Sequence, residues 1–169
     1  GGLELPPDPL DRALGRECLD GVACIRSDQD DIAVAGQQAL DLLIRSLGRP
    51  GTKAVIEAPT YALMIPLLRI SGMPVAPVPM RDDGMDLDRL ERILNKEKVA
   101  FVYTMPNFQN PTGITTGHGH RARLLSLCSA RSVPIIEDGF EEDMKYYGKV
   151  DLPIKSMDLL TANLDLSTL

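Results

Sequence analysis

Four short stretches of this sequence carry residue types suited to gripping a flat, anionic small molecule. The first is Gly36-Gln37-Gln38, which follows the apolar residues 32–35 and leads into an amphipathic run. Backbone N–H groups at a helix start, with the positive end of the helix dipole, make a phosphate cradle, and glycine permits close approach. Gly36 taken alone reads better as a tight turn. The second is Pro59-Thr60-Tyr61, where Tyr61 stands just past another apolar run. Its ring can lie over a flat aromatic ligand or simply pack. The third is Asn110-Pro111-Thr112-Gly113. Asn-Pro is an ordinary turn initiator, yet an Asn held rigidly before proline is also a fixed hydrogen-bond donor. The fourth is Ile136-Glu137-Asp138. A carboxylate ending an apolar strand is costly to bury unless a cation or a hydrogen bond compensates it. A protonated ring nitrogen would serve Asp138; a solvated loop or a structural ion pair would serve equally.

The elements that must position these stretches follow from hydrophobic periodicity. Residues 32–35 read as a short apolar strand. Leu40, Leu43, Ile44 and Leu47 then fall at i, i+3, i+4, i+7, an amphipathic helix ended by Gly48 and Pro50. Residues 54–56 form a second strand, stopped by Pro59. A helix is expected over 63–70, closed by Gly72, with Pro66 in its first turn or kinking it. Residues 75–78 make a third strand whose flanking prolines favour an edge or a bulge. Asp83-Gly84 is a turn, and Asp86 caps a helix with the stripe Leu87, Leu90, Leu94. Residues 99–104 are the clearest strand. Leu124, Leu125, Leu127 and Cys128 lie on the helix after it, and 133–137 is the last strand.

Strands alternating with helices predict an α/β fold of three layers, α/β/α, around a mainly parallel sheet. Ligands in such open sheets bind beyond the C-terminal strand ends, where all four stretches fall. Residues 1–30 read as a poorly defined N-terminal extension, with a weak helical signal over 10–19. Residues 31–158 form the domain, and 159–169 a tail without Lys or Arg.

Composition removes several function classes. At 169 residues the chain fits one ordinary domain, and its 44% hydrophobic and 25% charged residues argue against long disorder. A formal charge of −6 without a Lys/Arg cluster excludes a nucleic-acid surface. Apolar runs of membrane-spanning length and a signal-peptide pattern are both absent. Cys18, Cys24 and Cys128 are an odd set suited to a reducing compartment, so the expected location is the cytoplasm. His118 and His120, at i and i+2, do not share a helix face, so a metal is not expected there. Glu141, Glu142 and Asp143 read as a solvated helix face. Gly-x-Gly-x-x-Gly, Walker A and Gly-x-Ser-x-Gly patterns are missing.

Taken together, the segments Gly36 to Leu43, Pro59-Thr60-Tyr61, Asn110-Pro111-Thr112-Gly113 and Ile136-Glu137-Asp138 resemble the pyridoxal-phosphate (PLP) aminotransferases of fold type I. The resemblance runs from about residue 31 to about 158, nearest to the aminoadipate-type enzymes and the aminotransferase-like domains of GntR/MocR regulators. It implies pyridoxal 5'-phosphate as cofactor, held at its phosphate by the backbone of Gly36 and Gln37. Tyr61 would stack on the ring, Asn110 would bond its phenolic oxygen, and Asp138 would pair with the ring nitrogen. The implied activity moves an amino group between an α-amino acid and a 2-oxo acid, in a homodimer.

This sequence also departs from the family. The Schiff-base lysine expected in a Ser-x-Ser-Lys setting is not found: Lys145, Lys149 and Lys155 lack that context, and Lys155-Ser156 resembles the linker before it. Phe140 stands where many relatives carry a Tyr, and Ala35-Gly36 where they carry Gly and a small residue. The expectation is therefore a truncated cofactor-binding core, weak or inactive by itself. The alternatives are an effector-sensing fragment of a MocR-like regulator and a structural remnant that binds nothing.

Overall fold

The computed structural model describes residues 22–25, 32–139 and 152–157. In chain order the elements are β1 (Val22–Ile25), α1 (Ile32–Leu47), β2 (Lys53–Ala58), α2 (Met64–Ile70), β3 (Val75–Arg81), β4 (Gly84–Met85), α3 (Leu87–Lys96), β5 (Val99–Thr104), α4 (His118–Ser129) and β6 (Ile135–Asp138). The strands make one sheet in the order β1-β6-β5-β2-β3-β4, parallel except for the β3–β4 pair.

Register explains the layers. Ile56, Tyr103 and Ile136 sit side by side on adjacent strands, as do Val55, Val102 and Ile135. Because side chains alternate along a strand, the first row faces one side of the sheet and the second the other. The first packs with Leu40, Leu43 and Ile44 of α1 and Met64 and Leu68 of α2. The second packs with Leu87, Leu90, Ile93 and Leu94 of α3, Leu124, Leu125 and Cys128 of α4, and Ile154 and Met157. Two apolar clusters on opposite faces give the expected three-layer α/β/α arrangement. Among the described residues, no helix is long and apolar enough to cross a membrane.

Most expected elements are present, and Asp86 caps α3 by accepting the Arg89 N–H at 3.0 Å. Pro66 falls in the first turn of α2, where its missing N–H breaks no helical bond. Pro77 and Pro79 point outward from β3, and the short β4 pairs only with Met80 and Arg81, so the prolines do occupy an edge.

Residues 32–35 are a correction. They are the first turn of α1 and not a strand. A four-residue apolar run carries no period of its own, and Ile32 and Gly36 extend the i, i+4 series of Leu40 and Ile44 upstream, so the helix took it. The strand before α1 is instead β1, in a stretch where no strand was expected, with Ile25 opposite Asp138. The helical signal over 10–19 and the tail over 159–169 lie outside the described residues.

Leu90 is fully buried on α3. Leu90→Ala is expected to cost about 2–5 kcal/mol, from lost apolar transfer and the cavity left behind; urea unfolding of the two proteins checks it.

Candidate active site

Asp138 ends β6 and is 7% exposed. Its Oδ2 accepts the Tyr103 O–H at 2.7 Å. Alternation puts Asp138 on the same face as Ile136 and Tyr103, the face covered by α1 and α2. Burial, then the Asp138 charge, holds the Tyr103 phenol well above its ordinary pKa of 10.0, so it remains an O–H donor. Glu57 and the Tyr61 phenol add smaller pushes in the same direction, so these groups share one electrostatic neighbourhood. The neutral phenol fixes the orientation of the buried carboxylate.

Tyr61 follows β2, and Asn110 follows β5. In the sheet β6, β5 and β2 are adjacent and parallel, so Asp138, Asn110 and Tyr61 stand on neighbouring loops at one rim. Tyr61 is half-buried against the cluster that contains Tyr103 and Ile136. Both loops carry a cis X–Pro peptide, Ala58–Pro59 and Asn110–Pro111. Between them lies Glu57, which is 1% exposed. Its Oε1 accepts the Thr104 hydroxyl at 2.6 Å and the Met105 N–H at 3.1 Å, and its Oε2 accepts from Gln109 Nε2 at 3.0 Å. The Thr60 hydroxyl oxygen beside Tyr61 is shielded from solvent and has no hydrogen-bond partner, an acceptor-donor left over for a bound molecule at this rim.

Gly36 and Gln37 require a second correction. With α1 starting at Ile32, the unsatisfied N–H groups belong to the turn before them, and their own amides are committed to carbonyls four residues back. A phosphate cradle made from their free N–H groups is therefore not what the helix offers. Two features persist: α1 has no acidic residue in its first turn, and a Cβ at Gly36 would meet nothing within 4 Å. Since β1 and β2 are parallel and α1 connects them, the helix begins at the same rim as Tyr61, Asn110 and Asp138.

Several site-building residues escaped sequence reasoning. Arg121 is fully buried. Its Nε donates to Thr116 O at 3.0 Å and Thr116 Oγ1 at 3.1 Å, and its terminal nitrogens donate to Leu152 O at 2.9 Å, Pro106 O at 3.2 Å and Asn107 Oδ1 at 2.6 Å. The signal was there: Arg121 precedes Leu124, Leu125 and Cys128 at i, i+3, i+4, i+7, a cation on an apolar stripe. Glu137, on the opposite face from Asp138, accepts the Ile154 N–H at 2.9 Å and the Lys155 N–H at 3.3 Å. Glu57 was visible as an acid just past an apolar strand, whereas Gln109 carried no local signal.

The other constellations resolve simply. His120 meets the Met85 carbonyl at 2.9 Å, and no His/Cys/Asp/Glu cluster among the described residues would hold a metal. Cys128 is a core residue whose burial pushes the thiol up to about 12. Lys53 and Lys98 stand at the strand-start edge by β2 and β5. Phe140, Glu141, Glu142, Asp143, Lys145 and Lys149 lie outside the described residues.

Comparison with known proteins now adds to this geometry. The sequence pattern of aminotransferase class I and II matches residues 30–142. The chain belongs to that family. It is 39% identical over 127 residues to aromatic-amino-acid aminotransferase 1 of Thermococcus litoralis, covering 72% of this chain and 30% of the relative. It is 36% identical over 124 residues to the uncharacterized HTH-type transcriptional regulator YcxD of Bacillus subtilis, covering 73% and 28%. Among solved structures it resembles α-aminoadipate aminotransferase LysN from Thermus thermophilus, complexed with N-(5'-phosphopyridoxyl)-L-leucine. That match has a TM-score of 0.61 and 36% identity over 70% of this chain and 30% of the other. This aminotransferase-family chain therefore spans less than a third of the length of these relatives. The fold is that of the PLP-dependent transferases of type I, and the family's cofactor is pyridoxal phosphate.

Two outcomes follow from the buried groups. Burial, outweighing its hydrogen bonds, raises the Glu57 carboxyl from 4.5 to about 7. A folded pKa above the unfolded value means that its stabilising contribution is whole below about pH 4.5 and is lost as pH rises through about 7. Parent stability should therefore fall, relative to Glu57→Gln, by up to roughly 3 kcal/mol between those limits; denaturant titrations across the range read it. Cys128 should resist a thiol reagent until the chain is unfolded, as peptide mapping after alkylation would show.

Proposed function

We propose that this chain is the pyridoxal-phosphate-binding core of an aminotransferase that moves an amino group between an α-amino acid and a 2-oxo acid. The observation that carries the reading is the buried Asp138, steered by Tyr103, at a rim where the Tyr61 and Asn110 loops also end. Asp138 would hold a proton on the ring nitrogen, Tyr61 would cover the ring face, and Asn110 would donate to the phenolic oxygen. The phosphate falls to the opening turns of α1, where the helix dipole favours an anion, Gly36 leaves room and the Gln37 side chain supplies a donor. When bound, the cofactor supplies a ring that accepts electrons from the substrate α-carbon. The protein's part is to keep that nitrogen charged, the ring clamped and water off its face.

No residue of this chain is assigned the covalent-anchor role, and weak turnover by the chain alone belongs to the same reading. So do a cytoplasmic homodimer and small-molecule amino-acid and 2-oxo-acid partners. A second reading, an effector-sensing domain of a MocR-like regulator, is supported by the likeness to YcxD; it uses the same cofactor residues and differs in lacking turnover.

Titrating pyridoxal phosphate into the chain should give a saturable change in the cofactor's absorbance. Asp138→Ala should weaken binding by about ten- to a hundredfold, the worth of a hydrogen bond to a charged group, with far-ultraviolet circular dichroism unchanged. Equal affinity in both proteins would remove Asp138 from the site. Borohydride treatment is expected to leave no stoichiometric lysine adduct by mass; a single modified lysine would restore a covalent anchor.

A further inference from the structure

Tyr61 and Asn110 sit on loops far apart in sequence, and one side chain reaches both. Gln109 directly precedes Asn110. Its Nε2 donates to the Pro59 carbonyl at 2.8 Å and to Glu57 Oε2 at 3.0 Å. Its Oε1 accepts the Thr112 N–H at 3.0 Å and the Thr112 hydroxyl at 2.6 Å. Its main chain closes the same loop, with N–H donating to Ile114 O at 2.9 Å and C=O accepting the Gly113 N–H at 2.6 Å. Gly113 adopts a φ of 73°, a left-handed conformation that suits glycine.

We infer that Gln109, anchored by Glu57, is a positioning residue that fixes the Tyr61 loop against the Asn110 loop and so sets the width of the cofactor cleft. The inference rests on the cofactor reading above for its functional meaning. Its physical basis is independent of it.

Only a primary amide of this length fits the task. It must donate twice, to a peptide carbonyl and a carboxylate, and accept twice, from a peptide N–H and a hydroxyl. Glutamate cannot donate, and asparagine is a methylene too short. Gln109 and Glu57 are each 1% exposed, so water is poorly placed to replace a lost bond. The anchor is stiff: Glu57 lies on β2 and is bound to Thr104 and Met105 at the end of the neighbouring β5. Gln109 itself is not offered as a group that touches the ligand.

The test compares the parent with Gln109→Met, which keeps the bulk and removes every side-chain amide hydrogen bond, and with Thr112→Val, which removes the hydroxyl's bond to Gln109 and the one it accepts from the Ile114 N–H at 3.4 Å. Amide hydrogen exchange is followed without cofactor, then pyridoxal phosphate is titrated by absorbance and by induced circular dichroism in its absorption band. In Gln109→Met, the Met64 N–H, held by the Tyr61 carbonyl at 3.0 Å, and residues 112–114 should exchange at least about tenfold faster, while Val55, Ile56, Phe101 and Val102 keep the parent rate. The dissociation constant should rise at least about tenfold, with a weaker induced signal from a misoriented ring. Thr112→Val should loosen residues 112–114 alone. If Gln109→Met leaves the Met64 N–H as protected as in the parent, the clasp does not exist. If loops loosen but affinity and induced signal are unchanged, it exists without positioning the cofactor, and the inference is lost. If Gln109→Met does not fold, Thr112→Val decides: parent-like exchange at 112 and 113, whose N–H groups Gln109 itself holds, overturns the clasp. Failure of the parent itself to bind pyridoxal phosphate would sink the cofactor reading, and the exchange data would still decide the clasp.

Discussion

Three adjacent central strands of this sheet end in polar groups that are nevertheless buried: Glu57 on β2, Thr104 on β5, and Glu137 and Asp138 on β6. Charge removed from water must be compensated by donors in the protein. That requirement shapes the loops at the rim. Glu57 draws in Thr104, the Met105 N–H and Gln109; Glu137 draws the peptide N–H groups of Ile154 and Lys155 onto the sheet; Asp138 takes the Tyr103 hydroxyl. Arg121 performs the reverse service, giving its donors to the carbonyls of Pro106, Thr116 and Leu152. Loops otherwise free to move are tied to the core because leaving those groups unpaired would cost more than ordering the chain.

The two faces of the sheet divide the labour. Glu57, Thr104 and Glu137 follow the alternation toward the α3–α4 side, where they organise backbone. Asp138 and Tyr103 point to the α1–α2 side, where Tyr61 also packs. One residue of register separates Glu137 from Asp138 and puts the two carboxylates to different uses. An insertion or deletion in β6 would exchange their faces, so the period of the strand itself assigns their roles.

The sequence made the fold legible wherever a periodic pattern ran long enough. The helix through Leu40, Leu43, Ile44 and Leu47, the strand 99–104 and the Asp86 cap were all readable, because each rests on local chemistry. Residues 32–35 were not, since a run of four apolar residues fits either a strand or a helical turn. β1 pairs with β6, a partner more than a hundred residues away, and nothing local announces such a pairing. That Tyr61, Asn110 and Asp138 stand at one rim was legible from the strand ends they follow. Gln109 and Tyr103 were not, because what distinguishes them is which groups they reach across the sheet.

An aminotransferase and a helix-turn-helix regulator match this chain over nearly equal shares of its length, and the proposed reading gives a reason. At the rim stand a steered acid, an aromatic ring and an amide on tethered loops, the groups that the proposed reading assigns to a flat, charged ring. Catalysis needs in addition a group that carries protons at the substrate carbon, whereas sensing needs only that ligand occupancy be transmitted. A rim pre-organised by bonds to buried charges suits both, since it pays its ordering entropy on folding rather than on binding. Under the proposed reading, the tethering of these loops suits an oriented cofactor and is neutral between enzyme and sensor. The distinction must come from residues that act on the substrate and not from those that hold the ring.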